Sequence, residues 1–210
     1  MIIAVDGPTA SGKGTIAKAL AEHFGVPVLD TGLLYRAVGY QTQLNHGDAD
    51  DAADALAACD FPDSLLGDPA LRYETTGGLA SRVSVHPAVR AALFQRQVDF
   101  ANQPGGAVLD GRDIGTVIAP NADAKLFVTA SPEVRAQRRF AEMQKRGVNV
   151  TYDAVLADIH ARDARDTGRA DAPLLRAADA DLLDTGDLTI GDAVQRAITL
   201  VEALTGRRST

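Results

Sequence analysis

A glycine-rich segment near the start of the chain combines residue types that bind phosphate groups. The apolar run 1–5 leads into it, and a pattern with helical spacing follows it. Gly7 and Gly12 allow a tight turn whose backbone N–H groups point inward. Lys13 can reach the outer phosphates, and Thr15 offers a hydroxyl to Mg²⁺. An ordinary turn that caps a helix is the alternative, but these features together favour a phosphate-binding loop. The predicted loop consists of Gly7, Pro8, Thr9, Ala10, Ser11, Gly12, Lys13, Gly14 and Thr15.

Two further polar clusters follow predicted strands. Asp30-Thr31-Gly32 comes after one strand, and Asp110-Gly111-Arg112-Asp113 comes after another. Because the carboxyl ends of parallel strands meet at one edge of a sheet, we expect both clusters to converge with the phosphate loop. Asp110 is placed to hold Mg²⁺, directly or through water, and Arg112 and Asp113 offer a donor beside an acceptor. Taken singly, each cluster also fits a turn or helix cap, and Arg112 with Asp113 fits a local ion pair.

Arg36 lies within two helical turns of the strand end at Thr31. Its planar guanidinium matches phosphate oxygens better than the point charge of a lysine does. We therefore expect Thr31 and Arg36 to face an anion. The alternative is a surface position for Arg36, with Tyr35 packed beneath it.

Arginines are concentrated in one later segment of an otherwise acidic chain. On a helix, Arg162, Asp166 and Arg169 fall on one face, with Arg165 beside them. Gly168 is expected to end that helix. Neighbouring guanidinium groups repel one another unless an anion or carboxylates lie between them, so the pattern favours a lid over a small anion. A solvated helix with its own salt bridges is the alternative. One helix earlier in the chain lie Arg135, Arg138 and Arg139.

Short apolar runs that alternate with helical patterns must position these residues. Such alternation predicts an α/β fold, with a parallel sheet of about five strands that is flanked by helices. The predicted strands are 2–5, 27–29, 107–109, 125–128 and 181–183. The predicted helices are 13–24, 33–45, 49–58, 89–101, 132–146, 152–167 and 190–204.

The composition excludes several classes of protein. The 210 residues suit one compact domain, and the single cysteine excludes an internal disulfide or a cysteine metal cluster. The formal charge of -7 argues against binding to nucleic acid or to a membrane surface. No apolar run approaches the ~20 residues that span a bilayer, and the first residues lack the basic region of a signal peptide. We expect a cytoplasmic monomer.

Several groups of residues together resemble the bacterial cytidylate kinase family over nearly the whole chain. The Gly12-Lys13-Gly14-Thr15 form of the loop is typical of nucleoside-monophosphate kinases. The run Asp-Gly-Arg-Asp-x-Gly-Thr at 110–116 and the run Arg-Asp-x-Arg-Asp at 162–166 are specific to this family among those kinases. The remaining matches are 3–8, 29–32, Tyr35-Arg36, Arg169 and 172–174.

The resemblance implies transfer of a phosphoryl group from ATP to CMP or dCMP, with Mg²⁺ held by Thr15 and Asp110. It implies that Ser81, Arg90 and Asp113 read the cytosine edge. It also implies that Arg36, Arg112 and Arg169 hold the phosphate of the acceptor, and that Arg162 shares that site. Asp166 would then bind the sugar hydroxyl, and Thr31 and Tyr35 would lie beside the nucleotide. The implied catalytic charges are Lys13, Arg112, Arg138, Arg162 and Arg169.

The resemblance also implies three regions within one domain of 210 residues. The core comprises about 1–32, 99–134 and 177–210, the monophosphate-binding region about 33–98, and the lid about 135–176. The family usually has Ser at the position of Thr31, and a strand-rich insertion where this chain has only the short stretch 61–72. We expect the change at 31 to keep the hydroxyl function.

Other functions remain open on the residues alone. A phosphate-loop kinase could act on another small acceptor, such as UMP or a metabolite hydroxyl. A GTP-binding switch would need Asn-Lys-x-Asp to read guanine, and the run 121–124 lacks both the lysine and the final aspartate. A nucleotide-binding scaffold without catalysis fits poorly with so many arginines around one site.

Overall fold

A parallel sheet of five strands lies at the centre of the protein, in a computed structural model that describes residues 1–206. The strand order is β2-β3-β1-β4-β5, and every neighbouring pair is parallel. All five predicted strands are confirmed, as is the fold class. The last residues of the predicted core, 207–210, lie outside the described part of the chain. The strands are β1 (Ile2–Asp6), β2 (Val28–Asp30), β3 (Ala107–Gly111), β4 (Ala124–Thr129) and β5 (Asp181–Asp184).

The described residues form eight α-helices, of which seven were predicted from periodicity. The third is shorter than the predicted 49–58, because Asp51 caps it by accepting the N–H groups of Ala53 and Asp54. Ser131 caps the sixth helix in the same way, and Pro132 follows in its first turn. The helices are α1 (Lys13–Phe24), α2 (Thr31–Leu44), α3 (Ala52–Ala57), α4 (Glu74–Val83), α5 (Pro87–Ala101), α6 (Pro132–Lys145), α7 (Tyr152–Gly168) and α8 (Ile190–Thr205).

Helices cover both faces of the sheet. Alternate residues of β1 point to opposite faces, so Ile3 and Val5 pack in one apolar cluster while Ala4 belongs to another. The first cluster includes residues of α1 and α8, and the second includes Ala101 of α5 and Ile114. With both faces covered, the carboxyl edge is where polar side chains from the strand ends collect.

Helix α4 was not predicted, because its sequence is a poor helix former in isolation. It contains Gly77 and Gly78 beside threonines, which favour other conformations. Packing against α2 supplies the missing stability. A side chain at Gly39 of α2 would place its Cβ 2.7 Å from the Leu79 Cβ and 2.9 Å from the Leu79 backbone carbon, so the two helices are in direct contact there.

The short stretch 61–72 is held by two 3₁₀ turns, Asp63–Gly67 and Pro69–Arg72. Leu65 and Leu71 are buried in the same apolar cluster as α2 and α5. The Thr76 hydroxyl donates to a carbonyl of the second turn at 2.7 Å. Two apolar anchors and a hydrogen bond therefore fix this segment without any strand.

Helices α6 and α7 lie between β4 and β5 in the sequence, and they pack against each other. Met143, Val155 and Ile159 form a small apolar cluster between them, and Phe140 packs edge-on against Tyr152. In residues 1–206, no helix has the length and apolar character needed to cross a membrane.

Candidate active site

The segment between β1 and α1 has the backbone geometry of a phosphate cradle. Gly12 has a φ of 91°, a left-handed conformation that favours glycine, and it directly precedes α1. A Cβ at Gly7 would lie 2.0 Å from the backbone oxygen of Val128, so only glycine fits there. The Lys13 ammonium donates to the Pro8 carbonyl at 3.2 Å, across the loop. Backbone N–H groups, a helix N-terminus and one lysine thus converge on a space suited to an anion.

The Asp110 carboxylate lies beside this loop, and one of its oxygens has no hydrogen-bond partner. Its Oδ2 lies 3.1 Å from where a Cβ of Gly14 would be, while its Oδ1 is buried without a hydrogen-bond partner. Burial raises the pKa of the Asp110 carboxyl, and the charge of Lys13 opposes that rise. Burial, reinforced by the charge of Arg112, lowers the pKa of Lys13. An orphaned carboxylate oxygen beside a phosphate loop fits Mg²⁺, which prefers one or two carboxylates completed by water and phosphate. Thr15 lies exposed in the first turn of α1.

The polar ends of β1, β2 and β3 meet as predicted. The Thr31 hydroxyl donates to the Asp110 carbonyl at 2.8 Å, which ties the start of α2 to the end of β3. The Asp6 carboxylate accepts the backbone N–H groups of Ile114 and Gly115, at 2.9 and 2.8 Å. Burial raises the pKa of Asp6 to about 6, and these two hydrogen bonds oppose the rise. Asp6 therefore ties the start of the phosphate loop to the turn that carries Asp113.

After the end of β3, the buried carboxylate of Asp113 lies between two arginines. Asp113 pairs with Arg90 through one oxygen, and its other oxygen lies 3.7 Å from Arg169. All three residues are at most 9% exposed. Arg90 also approaches Asp171 at 3.3 Å, and Arg169 donates to the Ala172 carbonyl at 2.7 Å. The structure thus brings three of the sequence-predicted residues together, along with the stretch that follows α7.

Tyr35 lies next to this group, whereas Ser81 pairs with Arg165. The Arg90 guanidinium lies over the Tyr35 ring, 5.8 Å from its centroid, which is the geometry of a cation–π contact. The Ser81 hydroxyl accepts from the Arg165 Nε at 2.9 Å. Arg165, expected only beside the arginine face of its helix, therefore links α7 to α4.

A second ion pair joins the end of β3 to α7. The Arg112 Nε donates to Asp166 at 2.7 Å, and its guanidinium reaches the Gly111 carbonyl at 3.3 Å. Burial works to raise the pKa of Asp166, but the charge and hydrogen bond of Arg112 prevail and hold it below its usual value. Asp166 therefore neutralises an arginine of another element instead of one on its own helix.

Arg36 and Arg162 meet at Gly77 of α4. A Cβ at Gly77 would lie 3.1 Å from guanidinium nitrogens of both arginines. Arg36 donates to the Leu71 and Tyr73 carbonyls at 3.0 and 3.2 Å. Burial lowers the pKa of both guanidinium groups. The charge of Asp30 opposes this at Arg36 and that of Asp158 opposes it at Arg162, while neighbouring arginines add to the lowering, so two positive charges are concentrated in a partly desolvated place. Such a place favours an anion.

Two other arginines, both on α6, connect to the phosphate loop. Arg138 donates to the hydroxyl of Thr185 at 2.9 Å and also to its carbonyl, and the same hydroxyl donates to the Ser11 carbonyl at 3.0 Å. Arg135 forms a fork with Asp163 and donates to the Thr9 carbonyl at 3.3 Å. Both arginines therefore support the phosphate loop from its outer side.

The sequence reasoning missed a carboxylate that contacts two of the arginines. Glu74, at the start of α4, contacts Arg162 at 2.5 Å and also pairs with Arg139. Nothing in the local sequence signals this, because Glu74 and Arg162 are 88 residues apart and α4 itself was not expected. The general rule that clustered guanidiniums need carboxylates between them pointed to such a residue without identifying it.

Comparisons with known proteins match this chain over nearly its full length. The family model described as "Cytidylate kinase" matches residues 3–203. A cytidylate kinase of Caulobacter sp. (strain K31) is 56% identical over 207 residues, which are 98% of this chain and 96% of that protein. A cytidylate kinase of Xanthobacter autotrophicus is 57% identical over 203 residues, covering 97% of this chain and 98% of that protein.

The solved structures show a related fold. The crystal structure of an uncharacterized protein from Eubacterium ventriosum superposes with a TM-score of 0.56. The two chains are 16% identical, and the match covers 97% of this chain and 99% of that one. At this identity the likeness concerns the fold alone.

Proposed function

The chain belongs to the cytidylate kinase family, and from that premise we propose that it transfers the γ-phosphoryl group of ATP to CMP and dCMP, giving CDP and dCDP. One observation supports the proposal above the others. A glycine-built phosphate loop and a cluster of partly buried arginines lie at the same edge of the sheet. Two phosphorylated molecules can therefore meet there, one held mainly by backbone N–H groups and the other by guanidiniums.

The donor is proposed to bind at the loop 7–15. Its β- and γ-phosphates accept the loop N–H groups, and Lys13 contributes a charge next to the group that is transferred. Thr15 and Asp110 are the proposed holders of Mg²⁺, partly through water. When bound, Mg²⁺ supplies neutralisation of phosphate charge.

The acceptor phosphate is proposed to lie among Arg36, Arg112, Arg162 and Arg169. Arginine suits this role because two of its N–H groups can donate in parallel to two phosphate oxygens. The base is proposed to lie near Arg90, where it can meet a carboxylate, a hydroxyl and an aromatic ring. The proposed base contacts are Ser81, Arg90 and Asp113, with Tyr35 and Thr31 beside the nucleotide and Asp166 at the sugar hydroxyl.

The chemical step needs positioning and charge stabilisation more than a strong base. The acceptor phosphate is already ionised at neutral pH, so its oxygen can attack without losing a proton. Charge on the transferred group would be stabilised by Lys13, Arg112, Arg162 and Arg169, and Arg138 would act from the outer side of the loop. One such arginine contributes ~10³–10⁵ in rate in related phosphoryl transfers.

We also propose that the helical regions of about 33–98 and 135–176 close over the acceptor. Closure excludes water, which would otherwise compete as the phosphoryl acceptor. In the structure α7 already contacts α4 through Arg165 and Ser81.

A panel of acceptors tests the proposed function. ADP release is measured with ATP and Mg²⁺ in the presence of CMP, dCMP, UMP, AMP and GMP, and with no acceptor. We expect CMP and dCMP to give the highest kcat/KM. Higher kcat/KM with a different monophosphate would contradict the proposed acceptor, and equal ADP release without acceptor would contradict phosphoryl transfer.

A further inference from the structure

Glu74 is a carboxylate that joins three helices. It lies at the start of α4, and its two oxygens pair with Arg162 of α7 and Arg139 of α6. The Glu74 side chain is 29% exposed, that of Arg139 20% and that of Arg162 8%. The contact is therefore only partly screened by water, and charge–charge interactions in it are correspondingly strong.

Each of these two arginines also has a carboxylate partner on its own helix. Arg162 pairs with Asp158 at 2.7 Å, and Arg139 pairs with Glu142 at 2.7 Å. Among residues 1–206, Glu74 is the one carboxylate that pairs with either arginine from a different helix. It is thus the carboxylate that links α6 and α7 to α4.

The remaining charges around Glu74 are mostly positive. Arg36 lies at Gly77, one turn further along α4, and its guanidinium is close to that of Arg162. Arg112 adds a further positive charge, which Asp166 partly neutralises. A phosphate that approaches Arg36 and Arg162 therefore meets Glu74, whose carboxylate lies 2.5 Å from Arg162.

We propose that Glu74 sets the affinity for the acceptor phosphate by competing with it for Arg162. The inference rests on the proposed function, because it takes that phosphate to lie at Arg162. Arg162 pairs with Glu74 through its Nη2 and with Asp158 through its Nε. A phosphate that takes the Nη2 donors must therefore displace Glu74, because two anions at the same nitrogen repel each other. Acceptor binding accordingly releases Arg162 from Glu74, and α4 loses its ionic link to α7.

The test is Glu74→Gln, with Asp158→Asn as the matched control. Both remove one carboxylate from Arg162, but only the first removes the link between helices. Binding of inorganic phosphate is measured by calorimetry, and kcat and KM for CMP are measured with saturating ATP. We expect Glu74→Gln to bind phosphate about tenfold more tightly and to show a lower KM for CMP, since a hydrogen bond to a charged group no longer competes. Asp158→Asn should change phosphate affinity by about twofold or less.

A third variant separates the charge of Glu74 from its effect on folding. Glu74→Asp keeps the carboxylate, so its phosphate affinity should stay near that of the wild type. Unchanged or weaker phosphate binding by Glu74→Gln would overturn the inference, as would an equal gain in Asp158→Asn. Phosphate binding does not depend on the identity of the acceptor. Tighter phosphate binding without any turnover of CMP would therefore contradict the proposed function and leave the inference standing.

Discussion

Replacing Asp163 with asparagine tests how helices α6 and α7 are attached to the phosphate loop. Asp163 of α7 accepts two N–H groups of Arg135, at 3.0 and 2.6 Å. Arg135 is 3% exposed, and its other donors reach the carbonyls of Ala130 at 2.9 Å and Thr9 at 3.3 Å. Asp163→Asn keeps the shape of the side chain but turns one acceptor into an NH₂ group that faces a guanidinium donor.

The expected loss of stability follows from the burial of the two partners. Removing one partner of a fully buried pair costs about 3–5 kcal/mol, because the other charge is left uncompensated. The Asp163 side chain is 24% exposed, so water can recover part of that loss. We therefore expect the free energy of unfolding to fall by about 2–3 kcal/mol. Asp158→Asn, on the same helix with a side chain 44% exposed, should cost less than about 1 kcal/mol.

Urea unfolding of the wild type and both variants, followed by far-ultraviolet circular dichroism, measures these losses. Because Arg135 also contacts the Thr9 carbonyl, Asp163→Asn should raise the KM for ATP more than the KM for CMP. Equal losses of stability in the two variants would refute this account of Arg135, and so would a loss below about 1 kcal/mol in Asp163→Asn.

Three other substitutions probe the site. Lys13→Ala should lower kcat by at least about a thousandfold while the circular dichroism spectrum is retained, and an unchanged kcat would remove Lys13 from the reaction. Asp113→Asn should lower the ratio of kcat/KM for CMP to that for UMP by about tenfold, whereas an unaltered ratio would exclude Asp113 from base recognition. The Asp6 carboxyl, whose pKa is raised to about 6, holds a proton more tightly in the folded than in the unfolded state. The wild type should therefore gain stability relative to Asp6→Asn as the pH falls from about 7 to about 5, and a pH-independent difference would contradict the raised pKa.

Local sequence predicted the phosphate loop and the sheet edge because both depend on short-range patterns. The order of strand, glycines, lysine and helix is fixed within residues 2–24, and each strand end carries its own polar cluster. The convergence at Thr31, Asp110 and Asp6 then follows from the general geometry of parallel sheets.

The partners of the charged residues could not be predicted in the same way, because they come from distant parts of the chain. Asp163 pairs with Arg135, 28 residues away, and Arg138 contacts Thr185, 47 residues away. Helix α4 is stabilised by packing instead of by its own propensity, so neither its position nor the role of Glu74 was visible locally. An arginine-rich segment predicts that carboxylates must be near, but the fold determines which ones.

The contact at Gly39 limits how the acceptor region can move. With no side chain between α2 and α4 at this point, the two helices are close enough to behave as one rigid unit. That unit carries Arg36 on one helix and Glu74 with Ser81 on the other. The hydrogen bond of Thr31 fixes one end of the unit to the sheet, and the turn 84–86 follows the other end. In the closure proposed above, the arginine, the serine and the glutamate of this unit would therefore move together.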